Sequence, residues 1–207
     1  MNTGLTGALL RGIVWLDARL ELDVLHPLVL TPVVDTLPLT PGSKVLDVGC
    51  GMGWACRRMV RNGAGEVVGV DIHTPSLARA RAYARRCGSD SGSLAFCRAD
   101  AAALPLADDY FDLAVASVSL SWWREPEAVL REVRRVLQPG GRVYVIDVYD
   151  RGLGALFTRC SNIFMEEKER IYSAARFRQM LSSYFSRIQQ RTIGPFGWGL
   201  LTTGVKE

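Results

Sequence analysis

The stretch Lys44–Gly53, KVLDVGCGMG, limits the possible folds more than any other part of the chain. Val45-Leu46-Asp47-Val48 reads as a strand, three glycines follow at alternate positions (Gly49, Gly51, Gly53), and then Ala55, Cys56, Met59 and Val60 recur at helical spacing. Glycines let the backbone take positive φ and let a ligand lie against the main chain. The unpaired N–H groups of a helix start favour a polar or anionic group there. The dinucleotide fingerprint G-x-G-x-x-G competes for this stretch. Its third glycine would fall on Trp54, and an indole obstructs the close approach of helix, strand and pyrophosphate.

After this unit, strands and helices alternate. The first helix is predicted over about Trp54–Asn62, with Gly63 as its stop. Glu66–Val70 is a continuous apolar strand ending at Asp71. Thr74-Pro75 reads as an N-cap with proline at the first helical position. The helix that follows turns Leu77, Ala80, Ala84 and Cys87 inward and leaves Arg79, Arg85 and Arg86 solvated. Strands are predicted at Leu94–Cys97, Phe111–Ser117 and Arg142–Val148, with a helix opening at Glu125-Pro126 and stopped by Gln138-Pro139-Gly140-Gly141. That helix places Val129, Leu130, Val133, Val136 and Leu137 on one face. Ser173 caps a helix burying Phe177, Met180, Leu181 and Tyr184, and Ser186–Ile193 and Trp198–Val205 form a closing strand pair. The alternation implies an α/β fold whose parallel sheet has right-handed crossovers.

Two segments depart from this rhythm. Residues 4–25 carry Leu5, Leu9, Ile13, Leu16, Leu20 and Val24 on one helical stripe, and four X-Pro pairs between His26 and Pro41 then read as a linker. From Arg151 to Ile171 no periodicity holds. The division is therefore 1–40, an N-terminal helical cap or lid with its linker, and 41–207, the ligand-binding domain, within which 150–175 is a variable segment.

Composition narrows the classes. Of the 25 basic residues, 22 are Arg, but they are spread along the chain, so the net charge of +4 does not by itself define a nucleic-acid surface. The five cysteines form no C-x-x-C pair, and with two histidines they give no zinc spacing. Reduced thiols and the lack of a signal-peptide pattern point to a cytoplasmic protein. The longest uncharged runs weighed, Val24–Val34 and Thr192–Val205, are interrupted by Pro or Gly and fall short of the roughly 20 apolar residues of a membrane span.

Asp71 lies at the end of the second strand, 20 residues beyond Gly51, where a carboxylate can accept both ribose hydroxyls. Arg98-Ala99-Asp100-Ala101 follows the third strand, then Leu104-Pro105-Leu106 and Asp108-Asp109-Tyr110-Phe111-Asp112 lead into the fourth, and Leu137-Gln138-Pro139-Gly140-Gly141 precedes the fifth. Together with D-x-G-x-G-x-G these resemble the ordered motifs of the class I S-adenosylmethionine-dependent methyltransferases. The resemblance is to their small-molecule branch, the quinone-biosynthesis-like type 11 enzymes, and covers about residues 43–148.

The resemblance implies a Rossmann-like three-layer sandwich with a seven-stranded, mostly parallel sheet whose last strand is antiparallel. It implies S-adenosyl-L-methionine as cofactor, S-adenosyl-L-homocysteine as product and a small-molecule methyl acceptor. No metal and no nucleic-acid partner are expected. By position it assigns Asp47, Gly49, Cys50, Gly51 and Gly53 to the methionine moiety, Asp71 and Ile72 to ribose and adenine, Asp100 and Ala101 to the adenine edge, and Ser117 to the region of the sulfonium. Family members often carry histidine after the fourth strand, where this chain reads Leu120-Ser121-Trp122-Trp123. The remaining candidates for acid–base chemistry are Asp147, Tyr149, His73 and His26. Trp122, Trp123 and Tyr149 are candidate contacts to an apolar or aromatic acceptor.

Overall fold

A computed structural model describes residues 26–88, 93–162 and 170–207. The expected 4–25 helix and residues 163–169 of the aperiodic 151–171 stretch lie outside these residues. The elements run α1 (His26–Val34), β1 (Lys44–Val48), α2 (Trp54–Arg61), β2 (Glu66–Asp71), α3 (Thr74–Arg86), β3 (Leu94–Arg98), β4 (Phe111–Ser117), α4 (Pro126–Val136), β5 (Leu137–Asp147), α5 (Gly152–Ser161), α6 (Ala174–Ser182), β6 (Ser186–Ile193) and β7 (Gly199–Val205). The seven strands form one sheet in the order β3-β2-β1-β4-β5-β7-β6. The pairings from β3 across to β5 are parallel, and β7 runs antiparallel between β5 and β6.

Strand alternation divides the apolar side chains between the two faces. Leu46, Val48, Ala114, Val143 and Val145 pack with Val129, Leu130, Val133 and Val136 of α4 and Phe177, Met180 and Leu181 of α6. Val45, Val67, Leu113 and Val115 pack with Ala55, Cys56 and Met59 of α2 and Leu77 of α3. This is the three-layer α/β sandwich that the motifs imply.

The proline-rich stretch is not a linker throughout, because His26–Val34 is helical. Pro27 falls in the first turn, where no N–H bond is needed. Pro32 is interior, a placement that costs about 3 kcal/mol. Val29, Leu30, Val33 and Val34 are fully buried, and burial at about 1.5–3 kcal/mol per side chain more than offsets that cost. Three of them pack against Ile146, Val148, Trp198 and Leu201. Thr36 Oγ1 closes the helix by donating to the carbonyls of Val33 and Pro32, and Asp35 accepts from Arg58 and Asn62 of α2.

A second departure is α5, where no pattern was expected. Gly152 and Gly154 read as helix breakers in the sequence, yet their role is close packing. A Cβ on Gly152 would lie 1.9 Å from the carbonyl of Gly197, and one on Gly154 2.0 Å from that of Trp198. Smaller corrections follow from the caps. His73, not Thr74, is the N-cap of α3, and Cys87 is that helix's exposed C-cap and not an inward residue. Leu137–Gly141 is extended from the start of β5, as Gly140 and Gly141 exchange backbone hydrogen bonds with Lys206 beyond β7.

Since α1 is part of the core, Leu30→Ala should lower unfolding free energy by about 2–5 kcal/mol in urea. A loss below about 1 kcal/mol would mean that the helix is dispensable packing.

Candidate active site

The site is built at the carboxyl ends of β1, β2 and β4, starting with the glycine turn. Gly49 N and Cys50 N both donate to Val70 O, and Gly51 N donates to Asp71 Oδ2 at 2.7 Å. The other carboxylate oxygen of Asp71 accepts from His73 N, also at 2.7 Å. Asp71 therefore ties the turn after β1 to the turn after β2, and each of its oxygens keeps a lone-pair site for a further donor.

The three glycines of the turn differ in what surrounds them. Each has positive φ. A Cβ on Gly49 would lie 2.6 Å from Ser119 Cβ, and one on Gly53 2.6 Å from the Phe96 ring. At Gly51 (φ +50°) nothing lies within 4 Å. Two glycines thus permit close packing, and the third faces open space in front of the turn.

Asp47 lies beneath the turn and is 0% exposed. Its Oδ2 accepts from Cys56 Sγ at 3.0 Å, while its Oδ1 has no partner among the described residues. Burial pushes its pKa up to about 6; the Cys56 hydrogen bond opposes the shift and the charge of Asp71 adds to it. Gly69 of β2 makes room for this arrangement, since a Cβ there would be 2.8 Å from both Cys50 Sγ and Cys56 Sγ. Burial and the neighbouring Asp47 push the Cys56 thiol up as well, so neither geometry nor charge activates it as a nucleophile.

Beyond β2, Ile72 is 63% exposed, an apolar side chain left open beside Asp71. His73 is exposed, and its Nδ1 is paired with Ser76 Oγ at 2.8 Å. Asp100, after β3, is exposed and turns its own loop, accepting from Ala102 N through Oδ1; Ala101 is half-buried beside it. Arg135 fixes the following loop by donating to the carbonyls of Leu104 and Leu106 at 2.8 Å and to Asp108 and Glu132. Sequence reasoning did not single out Arg135, although the Glu132–Arg135 spacing of three on a helix was a readable signal.

At the end of β4 the structure brings up a residue that the sequence left unmarked. Ser117 is half-buried, and two positions on, Ser119 is buried against Gly49 and donates to Val48 O at 2.9 Å. Between them Val118 has φ +51°, a conformation costly for a β-branched residue, of order 1–3 kcal/mol. The strain lies where β4 must turn away beside the glycine turn.

The other candidates do not converge. Asp147 is 0% exposed, and its oxygens accept from Ser121 N at 3.0 Å and Val148 N at 2.8 Å. Burial raises its pKa to about 6 against those bonds. The carboxylate thus holds the Leu120–Trp122 turn onto β5. That turn separates the two tryptophans: Trp123 is 8% exposed in the core and Trp122 is 39% exposed. Tyr149 is buried beside the same core, bridged by backbone to Tyr172.

A nucleotide-type crevice at the strand ends of a sheet in this order, with β7 antiparallel, defines a class I α/β fold. Consistent with that geometry, a methyltransferase-domain family model matches residues 46–145. The chain is 38% identical over 118 residues to Methyltransferase GfsG of Streptomyces halstedii, covering 57% of this chain and 42% of that protein. It is 38% identical over 117 residues to the sterol 24-C-methyltransferase ERG6B of Gibberella zeae, covering 54% and 30%. In both cases the chain spans less than half the relative's length. The complex of the Haloferax volcanii Trm112 methyltransferase activator with a methyltransferase contains a similar fold, with TM-score 0.78 over 95% of each chain at 23% identity. Residues 46–145 thus resemble the class I S-adenosylmethionine-dependent methyltransferases in sequence, and the sheet around them has the matching fold. Among the described residues no helix is long and apolar enough to cross a membrane, and none group as metal ligands.

Two buried acids with raised pKa values give a pH signature. The folded form binds protons that the unfolded chain, with carboxyls near 3.8, has already released. Their contribution to stability therefore grows as pH falls from about 7 towards 4 and is lost as pH rises through about 6. Cofactor-free protein should show a higher urea midpoint at pH 5 than at pH 7.5, and Asp47→Asn with Asp147→Asn should flatten the difference. A midpoint that rises with pH in the parent protein would contradict both assignments.

Proposed function

We propose that this chain transfers the methyl group of S-adenosylmethionine to a small, apolar or aromatic metabolite. The observation that carries this reading is the open space at Gly51, whose N–H is held by the Asp71 carboxylate, in a turn over the buried Asp47, whose Oδ1 has no partner among the described residues. The residues present fit the cofactor. Asp47, Gly49, Cys50, Gly51 and Gly53 would hold the methionine moiety, with Asp47 Oδ1 the acceptor for its ammonium group, directly or through water. Asp71 would take the ribose hydroxyls, Ile72 would flank the adenine, Asp100 and Ala101 would meet its edge, and Ser117 and Ser119 border the sulfonium end.

When bound, S-adenosylmethionine supplies a methyl group already activated by its sulfonium. The chain's task is then alignment, which contributes about 7–11 kcal/mol when the reacting groups are held near attack geometry. Asp147 acts through position, holding the Trp122 turn, because both its oxygens are engaged and covered. The acceptor is assigned to the side of α5 and the β6–β7 connection, where Leu153, Leu156 and Phe196 are exposed. The sterol and other methyltransferase relatives support a small-molecule acceptor over nucleic acid or protein.

Calorimetry with S-adenosylmethionine tests the reading. Asp71→Ala should weaken binding at least tenfold. Gly51→Ala should do the same, with a stability loss of only about 1–2 kcal/mol from placing alanine at φ +50°, because its Cβ meets no protein atom. Unchanged affinity in both variants, or binding of NAD in place of S-adenosylmethionine, refutes the site. Binding should also weaken as pH falls below about 6, when Asp47 takes up its proton, and Asp47→Asn should remove that dependence. Mass spectrometry of reactions with a panel of apolar and aromatic acceptors would identify the product, and methylation confined to RNA or protein would overturn the acceptor class.

A further inference from the structure

Arginines dispersed along the sequence converge on one face of the sheet, away from the crevice. Arg142, Arg187 and Arg191 line a groove of about 390 Å³ together with Val33, Leu201, Val205, Tyr144, Gln189 and Thr203. Strand register explains the convergence. Arg142 pairs with Val205, which is opposite the start of β6; Tyr144, Thr203 and Gln189 form the next cross-strand row; Ile146, Leu201 and Arg191 form the third. Near Arg187 the β6–β7 register shifts and that residue takes φ +51°. A bulge of this kind re-aims a side chain.

We propose that this groove is a second ligand site, for a small molecule bearing a multiply charged phosphate group. The three guanidinium groups are exposed, and none has a carboxylate or other polar partner among the described residues. Arg142 stands on the first row, Arg191 on the third and Arg187 at the bulge between them, and all three border the groove, so an anion there meets positive charge from each. The planar guanidinium fork matches phosphate oxygens bidentately, as lysine does not. Gln189 and the Thr203 hydroxyl add neutral donors, and Val33, Leu201 and Val205 form an apolar floor for the arginine stems and for the organic part of a ligand. The volume lies in the range of small-molecule sites.

The nearest acid on α1, Asp35, is already committed to Arg58. The groove is distinct from the cofactor crevice. It lies along β5, β7 and β6, from the Arg142 row to the Ile146 row, whereas the crevice opens at the carboxyl ends of β1, β2 and β4 in the other half of the sheet. α1 packs against α2 and lends Val33 to the groove, and Thr36, just beyond its end, also lines it.

Inorganic pyrophosphate is the probe, titrated into the full chain by calorimetry at low ionic strength. Saturable one-to-one binding is expected, weakened at least tenfold in the Arg187→Gln/Arg191→Gln variant and separately by Arg142→Gln, and weakened by added salt. S-adenosylhomocysteine affinity and the urea midpoint should stay within error in these surface variants, which keeps a folding defect apart from a lost site and leaves the cofactor assignment independent of the result. Orthophosphate, with less charge for the three guanidinium groups, should bind more weakly than pyrophosphate; equal binding of the two would overturn a site that reads multiple charge. Absence of saturable binding, variants that bind as the parent does, or a single-stranded oligonucleotide that binds and is not displaced by pyrophosphate would each overturn the proposal.

Discussion

The hydrogen bond from Gly51 N to Asp71 Oδ2 joins the two strand ends on which the whole crevice depends. β1 and β2 are adjacent and parallel, with Val48 level with Val70, so their C-terminal turns emerge side by side. A turn with three left-handed residues has few conformations available to it, and backbone bonds to Val70 O and the Asp71 carboxylate select one. An acid in this position fixes the loop without a ligand, through the Gly51 and His73 N–H groups, and keeps lone-pair sites for a further donor. Preorganisation of this kind reduces the ordering cost of binding.

Several motif residues serve the frame and not the crevice. Asp112, in the Phe111-Asp112 pair that opens β4, accepts from Lys44 N and from Gln138 Nε2, and so joins the beginnings of β1, β4 and β5. Gln138 reaches Tyr110 O with the same amide. The Leu104–Asp108 loop is held by Arg135, with Glu132 accepting from Leu104 N. A run of sequence can thus be diagnostic of a family while its side chains never touch the ligand. They fix where Asp100 and Ser119 stand by fixing the strands that carry them.

What was legible in the sequence followed from local physics. Continuous apolar runs gave the central strands, the glycines gave the turn from β1 into α2, and Ser173 gave a cap whose side chain does accept from Arg176 N. What was not legible depended on tertiary packing. Prolines at 27 and 32 argue for a linker until the burial of Val29, Leu30 and Val33 is counted. Glycines at 152 and 154 argue against a helix until the carbonyls of Gly197 and Trp198 are placed beside them. Ser119 carries no local signal, since its role arises only because β4 lies next to β1. Trp122 and Trp123 look equivalent in sequence, and one peptide unit of a short 3-10 turn sends one to the core and leaves the other open.

The two buried acids show how the same burial produces different roles. Asp147 lies at 0% exposure and is satisfied by two backbone N–H groups, so its charge serves to hold a turn. Asp47 is equally buried yet has one oxygen without a partner, a state that costs about 1–3 kcal/mol in a finished core. A cation presented at the mouth of the glycine turn would remove that cost and lower the acid's pKa in the same step. The ammonium group of an amino-acid moiety meets this requirement; a nicotinamide dinucleotide, which carries pyrophosphate to the same turn, would bring like charge towards Asp47 and Asp71. The charge at the turn therefore favours the ammonium over the pyrophosphate.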